Sequence, residues 1–171
     1  MKTAAIIAEY NPFHNGHPYQ IEETRRQTGA DYILILMSGD FVQRGAPALC
    51  NKYTRTRMAL LGGADAVIEL PALYALSSAE FFASGAVTLL NQLNTINLLS
   101  FGSESGNLPL LQSCAHMLTE ENSSLDGKIR EYLQQGYSYP VSRAKALSHE
   151  NIELLSSPNN ILGMEYCKAI L

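Results

Sequence analysis

Four short apolar runs constrain this chain more than any other feature: "TAAIIAEY" (3–10), "DYILILMS" (31–38), "DAVIELP" (65–71) and "INLLSFGS" (96–103). None alternates polar with apolar residues, so each reads as a strand buried on both faces. Helical patterns lie between them. The first starts near Pro18 and stops at Gly29. The second covers about 52–62 and stops at Gly62-Gly63, and the third covers about 78–93 with Ser77 or Ser78 as N-cap. Strand–helix–strand spacing of this length predicts parallel βαβ units in an α/β, doubly wound, Rossmann-like sheet. Beyond residue 107 the pattern turns helical, over about 108–120, 124–135, 140–149 and 160–171. The expected organisation is an α/β core over 1–107, with 108–171 as a helical continuation of the same domain. "ILGMEYCKAIL" stops in mid-helix, with no Gly stop, Pro or polar tail after it, and the chain is expected to be cut short there.

A length of 171 residues suffices for one domain with a proper core. At 46% hydrophobic and 16% charged residues, the composition excludes a disordered chain. The net charge of −4 gives no global positive field, so any RNA contact has to come from a local patch. Cys50, Cys114 and Cys167 are scattered and form no C-x-x-C, which fits reduced thiols and neither a disulfide framework nor a zinc site. The first apolar run stops at Glu9, too soon for a signal peptide. No apolar stretch approaches the roughly 20 residues of a membrane span. A soluble, cytoplasmic protein is expected.

The first run gives way at once to "AEYNPFHNGHPYQ", Ala8 to Gln20. In an open parallel sheet, ligands bind beyond the carboxyl ends of the strands, where the strand order switches. Here the turn leads into a helix whose N-terminus is expected to bring free N–H groups and the positive end of a dipole. Gly16 would let a polyanion or a purine ring approach the backbone. His14 and His17, three apart with Gly between, can face one cluster of anionic oxygens. Two imidazoles there suit charge building on an α-phosphate during nucleotidyl transfer. The plain alternative is a turn with two surface histidines, since H-x-G-H arises readily by chance. Its place between strand one and a helix favours the nucleotide site. Neither G-x-x-x-x-G-K-[ST] nor G-x-G-x-x-G occurs, which disfavours P-loop kinases and dinucleotide dehydrogenases.

H-x-G-H after a first strand resembles the nucleotidylyltransferase superfamily related to class I aminoacyl-tRNA synthetases. The longer strings "EYNPFHNGH", "MSGDFVQRGAPA" (37–48), "VIELP" (67–71), "FGSE" (101–104) and "SPNNILG" (157–163) resemble, in order and across essentially the whole chain, the bacterial tRNA(Met) cytidine acetate ligase family. That resemblance implies the HxGH type of sheet, with ATP (accompanied by magnesium), acetate and elongator tRNA(Met) as substrates. Family members activate acetate as acetyl-adenylate and acetylate the N4 amine of the wobble cytidine, releasing AMP and pyrophosphate. By position, the resemblance implies an ATP cradle of Ile7, Ala8, Glu9, Tyr10, Asn11, Pro12, Phe13, His14, Asn15, Gly16, His17, Pro18, Tyr19 and Gln20. Within it, His14 and His17 would be catalytic, close to the phosphates. Gly102 would lie under the adenosine, and Asn159 and Asn160 would add contacts. Family members are longer and carry a later Ser/Arg-containing segment, so this length of chain is expected to bind ATP without acetylating tRNA.

Other residues have competing readings. Residues 41–64 hold Arg44, Lys52, Arg55 and Arg57 and no carboxylate, a patch for triphosphate or tRNA backbone or simply a solvated helix face. Asp40 and Arg44 flank the end of strand two, on the ligand side. Asp65 and Glu69 flank strand three, and Glu69 is expected to pair with a nearby Arg. Glu104 is a single carboxylate from which no metal site follows. His116 is expected to be structural and His149 a surface residue. The Asn pair can also cap the last helix. Two further functions stay open: a coenzyme adenylyltransferase, and a nucleotide- or RNA-binding domain without chemistry. Binding alone does not require both His14 and His17, which favours an enzyme.

Overall fold

Residues Thr3–Ala8 form β1, Tyr32–Ser38 β2, Ala66–Leu70 β3 and Leu98–Ser100 β4. These strands make one parallel sheet in the order β3-β2-β1-β4. The computed structural model describes residues 1–43, 45–119, 123–146 and 157–171. They fall into two compact units, Met1–Phe101 and Gly102–Leu171.

In the first unit, α1 (Gly16–Thr28) joins β1 to β2 and α2 (Lys52–Leu61) joins β2 to β3. A short α3 (Ala72–Ala75) and α4 (Ala79–Gln92) lead back to β4. Right-handed crossovers place α1 and α2 on one face and α4 on the other, because the chain reverses its direction across the sheet after β3. Side-chain parity agrees. Ala4, Ile6, Ile33, Ile35 and Met37 pack in one cluster with Ile21 of α1 and Ala59 of α2. The alternate positions Ala5, Leu36 and Leu70 are equally buried, as are Phe82, Ala83, Ala86 and Leu90 of α4. A Cβ on Gly85 of α4 would run into the Tyr74 ring, so glycine is what allows α3 to lie against α4. The doubly wound expectation holds.

Two details differ from the sequence reading. Only β1 and β2 are buried along most of their length. β3 and β4 are edge strands with half-exposed positions, and β4 pairs for three residues only. An edge position, which no run of apolar letters reveals, decides this. Helix α1 also begins two residues before Pro18, which puts His17 inside its first turn.

The second unit contains α5 (Leu108–Thr119), α6 (Ser123–Gln134), α7 (Tyr139–Ala146) and α8 (Pro158–Ile170). Leu111, Cys114 and Ala115 of α5 are buried, as are Gly163, Met164, Tyr166 and Cys167 of α8. The α5 set has the spacing of one helix face. Helix α8 is instead buried at five consecutive positions, Gly163 to Cys167 with Glu165 among them, and is therefore covered around its circumference. Helix α5 packs against α8. The expected helix over 140–149 is seen to Ala146, and its last residues, His149 among them, lie outside the described residues.

Candidate nucleotide site

The strand order places the switch point between β1 and β4, and the segment leaving β1 there is Glu9–His17. Tyr10 turns the chain with φ at +49°, a left-handed value uncommon for an aromatic residue. Its ring is buried, 2% exposed, in the cluster under α1. The ring lies 4.6 Å from the His17 ring and 4.9 Å, edge on, from Phe13. Phe13 approaches His17 from another side at 5.2 Å. Gly62, at the end of α2, makes room for Phe13: a Cβ there would come within 2.6 Å of its ring. The sequence reading took Gly62 for a helix stop alone. A second glycine beside it, where one suffices for a stop, was the available signal.

His14 and His17 stack at 3.8 Å with 27° between their planes. The backbone N–H of His14 donates to His17 Nδ1 at 3.0 Å, and that of Gly16 donates to His14 Nδ1 at 3.2 Å. Each Nδ1 therefore accepts, and the network assigns the proton of each neutral ring to Nε2. Burial, and secondly the neighbouring His14, lower the His17 pKa from 6.5 to about 4. At neutral pH His17 is an uncharged N–H donor.

This geometry corrects what was expected of the helix N-terminus. Gly16 N–H is engaged by the His14 ring, His17 N–H donates to the His14 carbonyl at 2.9 Å, and Pro18 has no N–H. His14 thus caps α1, while Asn15 at the N-cap position makes no side-chain cap. Little is left of the expected row of free amides. The dipole and the two Nε2–H groups remain. Gly16 has a local reason as well, since its Cβ would sit 3.0 Å from His14 Cε1.

The rest of the cradle is stitched to the loop after β2. Glu9 Oε1 accepts from Gln43 N–H at 2.9 Å, and Asn11 Oδ1 accepts from Leu49 N–H at 2.7 Å. Ile7 and Ala8 end β1 half-buried, Pro12 and Tyr19 are exposed, and Pro18 and Gln20 are half-buried on α1.

The cationic patch does not form as expected. Arg55 is fully buried, and its guanidinium donates to four backbone carbonyls, so it is no phosphate or tRNA contact. Lys52 pairs with Glu69 at 2.7 Å, taking the place of the Arg expected there. Arg57 is exposed, and Arg44 lies outside the described residues. Asp40 accepts from Lys52 N–H at 2.7 Å, and Asp65 pairs with Arg25 at 2.7 Å.

In the second unit, a Cβ on Gly102 would meet nothing within 4 Å. Glu104 accepts from Asn159 N–H at 3.2 Å and Asn160 N–H at 2.8 Å, and so caps α8 from a distance. Desolvation raises its pKa, but the amides of Glu104, Asn159 and Asn160 outweigh this and hold the carboxyl below its usual value. Asn160 is buried, and its Oδ1 accepts from Ser105 N–H at 3.1 Å. The Asn pair therefore occupies the first turn of α8 and does not cap it with side chains. His116 is exposed on α5, contrary to its structural reading.

A parallel sheet carrying H-x-G-H on its first turn, at the switch point, defines a nucleotidyl-transferase type of fold. The HIGH Nucleotidyl Transferase model matches residues 1–171, and the chain belongs to that family. Among its relatives, it is 51% identical to the tRNA(Met) cytidine acetate ligase of Clostridium novyi (strain NT) and 53% identical to that of Geobacillus sp. (strain WCH70). It is covered completely in both comparisons and spans 44% and 43% of those proteins. Thermotoga maritima TmcAL bound with alpha-thio ATP superimposes with a TM-score of 0.94 at 38% identity, covering 99% of this chain and 43% of that one. The chain thus spans less than half the length of the relatives it matches.

Proposed function

We propose that this chain binds ATP at the turn after β1 and belongs to an enzyme that activates acetate as acetyl-adenylate and acetylates the wobble cytidine of elongator tRNA(Met). The observation that carries the reading is the stacked His14–His17 pair, each ring held by a backbone N–H so that Nε2–H is left to donate. Two such donors suit negative charge that grows on phosphate oxygens in the transition state. An acetate oxygen attacks the α-phosphorus, the bond to the β-phosphate breaks and pyrophosphate leaves. The cytidine N4 then attacks the acetyl carbon, AMP leaves with the bonding pair, and N4 gives up a proton. Ile7 to Gln20 line the nucleotide, with Gly102, Asn159 and Asn160 as further contacts supported by the family resemblance. The names of the relatives and the nucleotide in the Thermotoga maritima structure favour this reading over a coenzyme adenylyltransferase.

The carboxylates near the sheet end do not fit a magnesium site built by the protein. Glu9 holds the Gln43 amide, Asp40 the Lys52 amide and Glu69 the Lys52 ammonium. We assign magnesium to the triphosphate itself. Among the described residues no helix is long and apolar enough to cross a membrane, and we place the protein in the cytoplasm with its tRNA.

Calorimetry with ATP tests the binding, and acetate-dependent pyrophosphate exchange tests the activation. His17→Ala in the enzyme is expected to slow exchange by about 10²–10³ while changing ATP affinity far less. A well-folded chain that binds no ATP, or exchange indifferent to acetate, refutes the proposal.

A further inference from the structure

Arg55 is the largest side chain with no exposure at all, yet it carries a permanent charge. Its Nε donates to Cys50 O at 3.0 Å. Its Nη1 donates to Glu9 O at 2.6 Å and Ser38 O at 3.0 Å, and its Nη2 donates to Gly39 O. Among the described residues it has no carboxylate partner. A charge placed there is expensive unless its donors are satisfied, and four of the five N–H groups of the planar fork find carbonyls. Those carbonyls belong to three separate segments: the exit of β1, the exit of β2, and the residue before the N-cap of α2. Asn51, that N-cap, holds the Arg55 backbone, since its carbonyl accepts from Arg55 N–H at 3.2 Å, while its Oδ1 caps the helix by accepting from Thr54 N–H at 2.9 Å. The bond to Glu9 O is the one that reaches the nucleotide turn. Beyond it come Tyr10, which leaves the strand at positive φ, and then the histidine pair.

We infer that Arg55 is the positioning residue of the nucleotide turn, fixing where β1 ends so that Tyr10 and the His14–His17 pair meet in their stacked arrangement. The inference rests on the ATP reading for its functional consequence, but not for its structural one. A shorter, flexible ammonium cannot serve three segments at once, so Arg55→Lys keeps the charge and loses the clamp. A misplacement of about 1 Å in such a frame can lower rate or affinity by roughly a hundredfold.

Two measurements decide it. In Arg55→Lys, the His17 ring resonance followed by NMR is expected to titrate nearer its ordinary value than in the wild type, and ATP affinity is expected to fall about tenfold or more. A role confined to the sheet would move neither, and a folded variant with wild-type titration and affinity overturns the inference. If that variant does not fold, the wild-type protein answers. The Arg55 Nη protons should be protected from exchange and should shift when ATP is added, and protons that stay unmoved while ATP binds refute the role. If the wild type binds no ATP, the functional reading fails separately, and the His17 titration in Arg55→Lys still decides the positioning claim.

Discussion

His17 shows how a small enclosure sets chemistry. Tyr10 and Phe13 flank the ring, and the His14 amide requires its Nδ1 unprotonated. Its pKa falls from 6.5 to about 4, through burial first and His14 second. Between those values the unfolded chain binds a proton that the folded chain does not, so stability rises with pH across this window. The contribution is complete above about pH 6.5 and is lost as pH falls toward 4. His17→Asn keeps an acceptor for the His14 amide and removes the titration. Melting temperatures from pH 7 to 4 should therefore fall more steeply in the wild type than in this variant, and parallel curves would show that the ring is not enclosed. Gly102 offers a contrasting case, since a Cβ there has open space and no left-handed backbone to accommodate. Gly102→Val is expected to leave the melting temperature within a degree or two while lowering ATP affinity about tenfold or more. Unchanged affinity by calorimetry would mean that the nucleotide lies elsewhere.

Among the elements, α8 has an unusual beginning. Ser157 makes no side-chain cap, Pro158 opens the helix, and the Asn159 and Asn160 amides go to the Glu104 carboxylate, 55 and 56 residues away in sequence. A carboxylate suits a helix N-terminus by both hydrogen bonding and dipole. Its depressed pKa gives the pH sign: the stabilisation is present above the ordinary carboxyl pKa and is lost as pH falls through the lowered one. Glu104→Gln should lower the melting temperature at pH 7 and converge with the wild type in acid. Because Glu104 is exposed, the effect belongs near the low end of the roughly 0.5–2 kcal/mol typical of caps. Equal melting at pH 7 would remove Glu104 from the cap. Such long-range partners explain what the letters conveyed and what they did not. The strands and long helices were legible because apolar period and glycine stops are local signals. So was the histidine turn, by its place after β1. The four-residue α3 was missed because it is too short to show a period. The burial of Arg55 was invisible because its acceptors include a carbonyl 46 residues away.

Over this chain, which spans less than half the length of its relatives, charge limits how the proposed tRNA could be met. The net charge is −4, so attraction to tRNA depends on where the cations sit. Arg55 is buried and Lys52 is held by Glu69, which leaves Arg57 of α2 exposed and, among the described residues, without an ion pair. Tyr53, one turn earlier on the same helix face, is 76% exposed and offers a ring on which an unpaired base can stack. If this face touches the phosphate backbone, Arg57→Ala should weaken tRNA(Met) association and lower its salt slope by about one. Tyr53→Ala should weaken association with little change in slope, because stacking releases no counterion. ATP affinity should stay the same in both. Fluorescence anisotropy of labelled tRNA(Met) across a salt series separates the two effects. A slope that stays at the wild-type value in Arg57→Ala would take α2 out of the RNA contact and leave its exposed face as solvated surface.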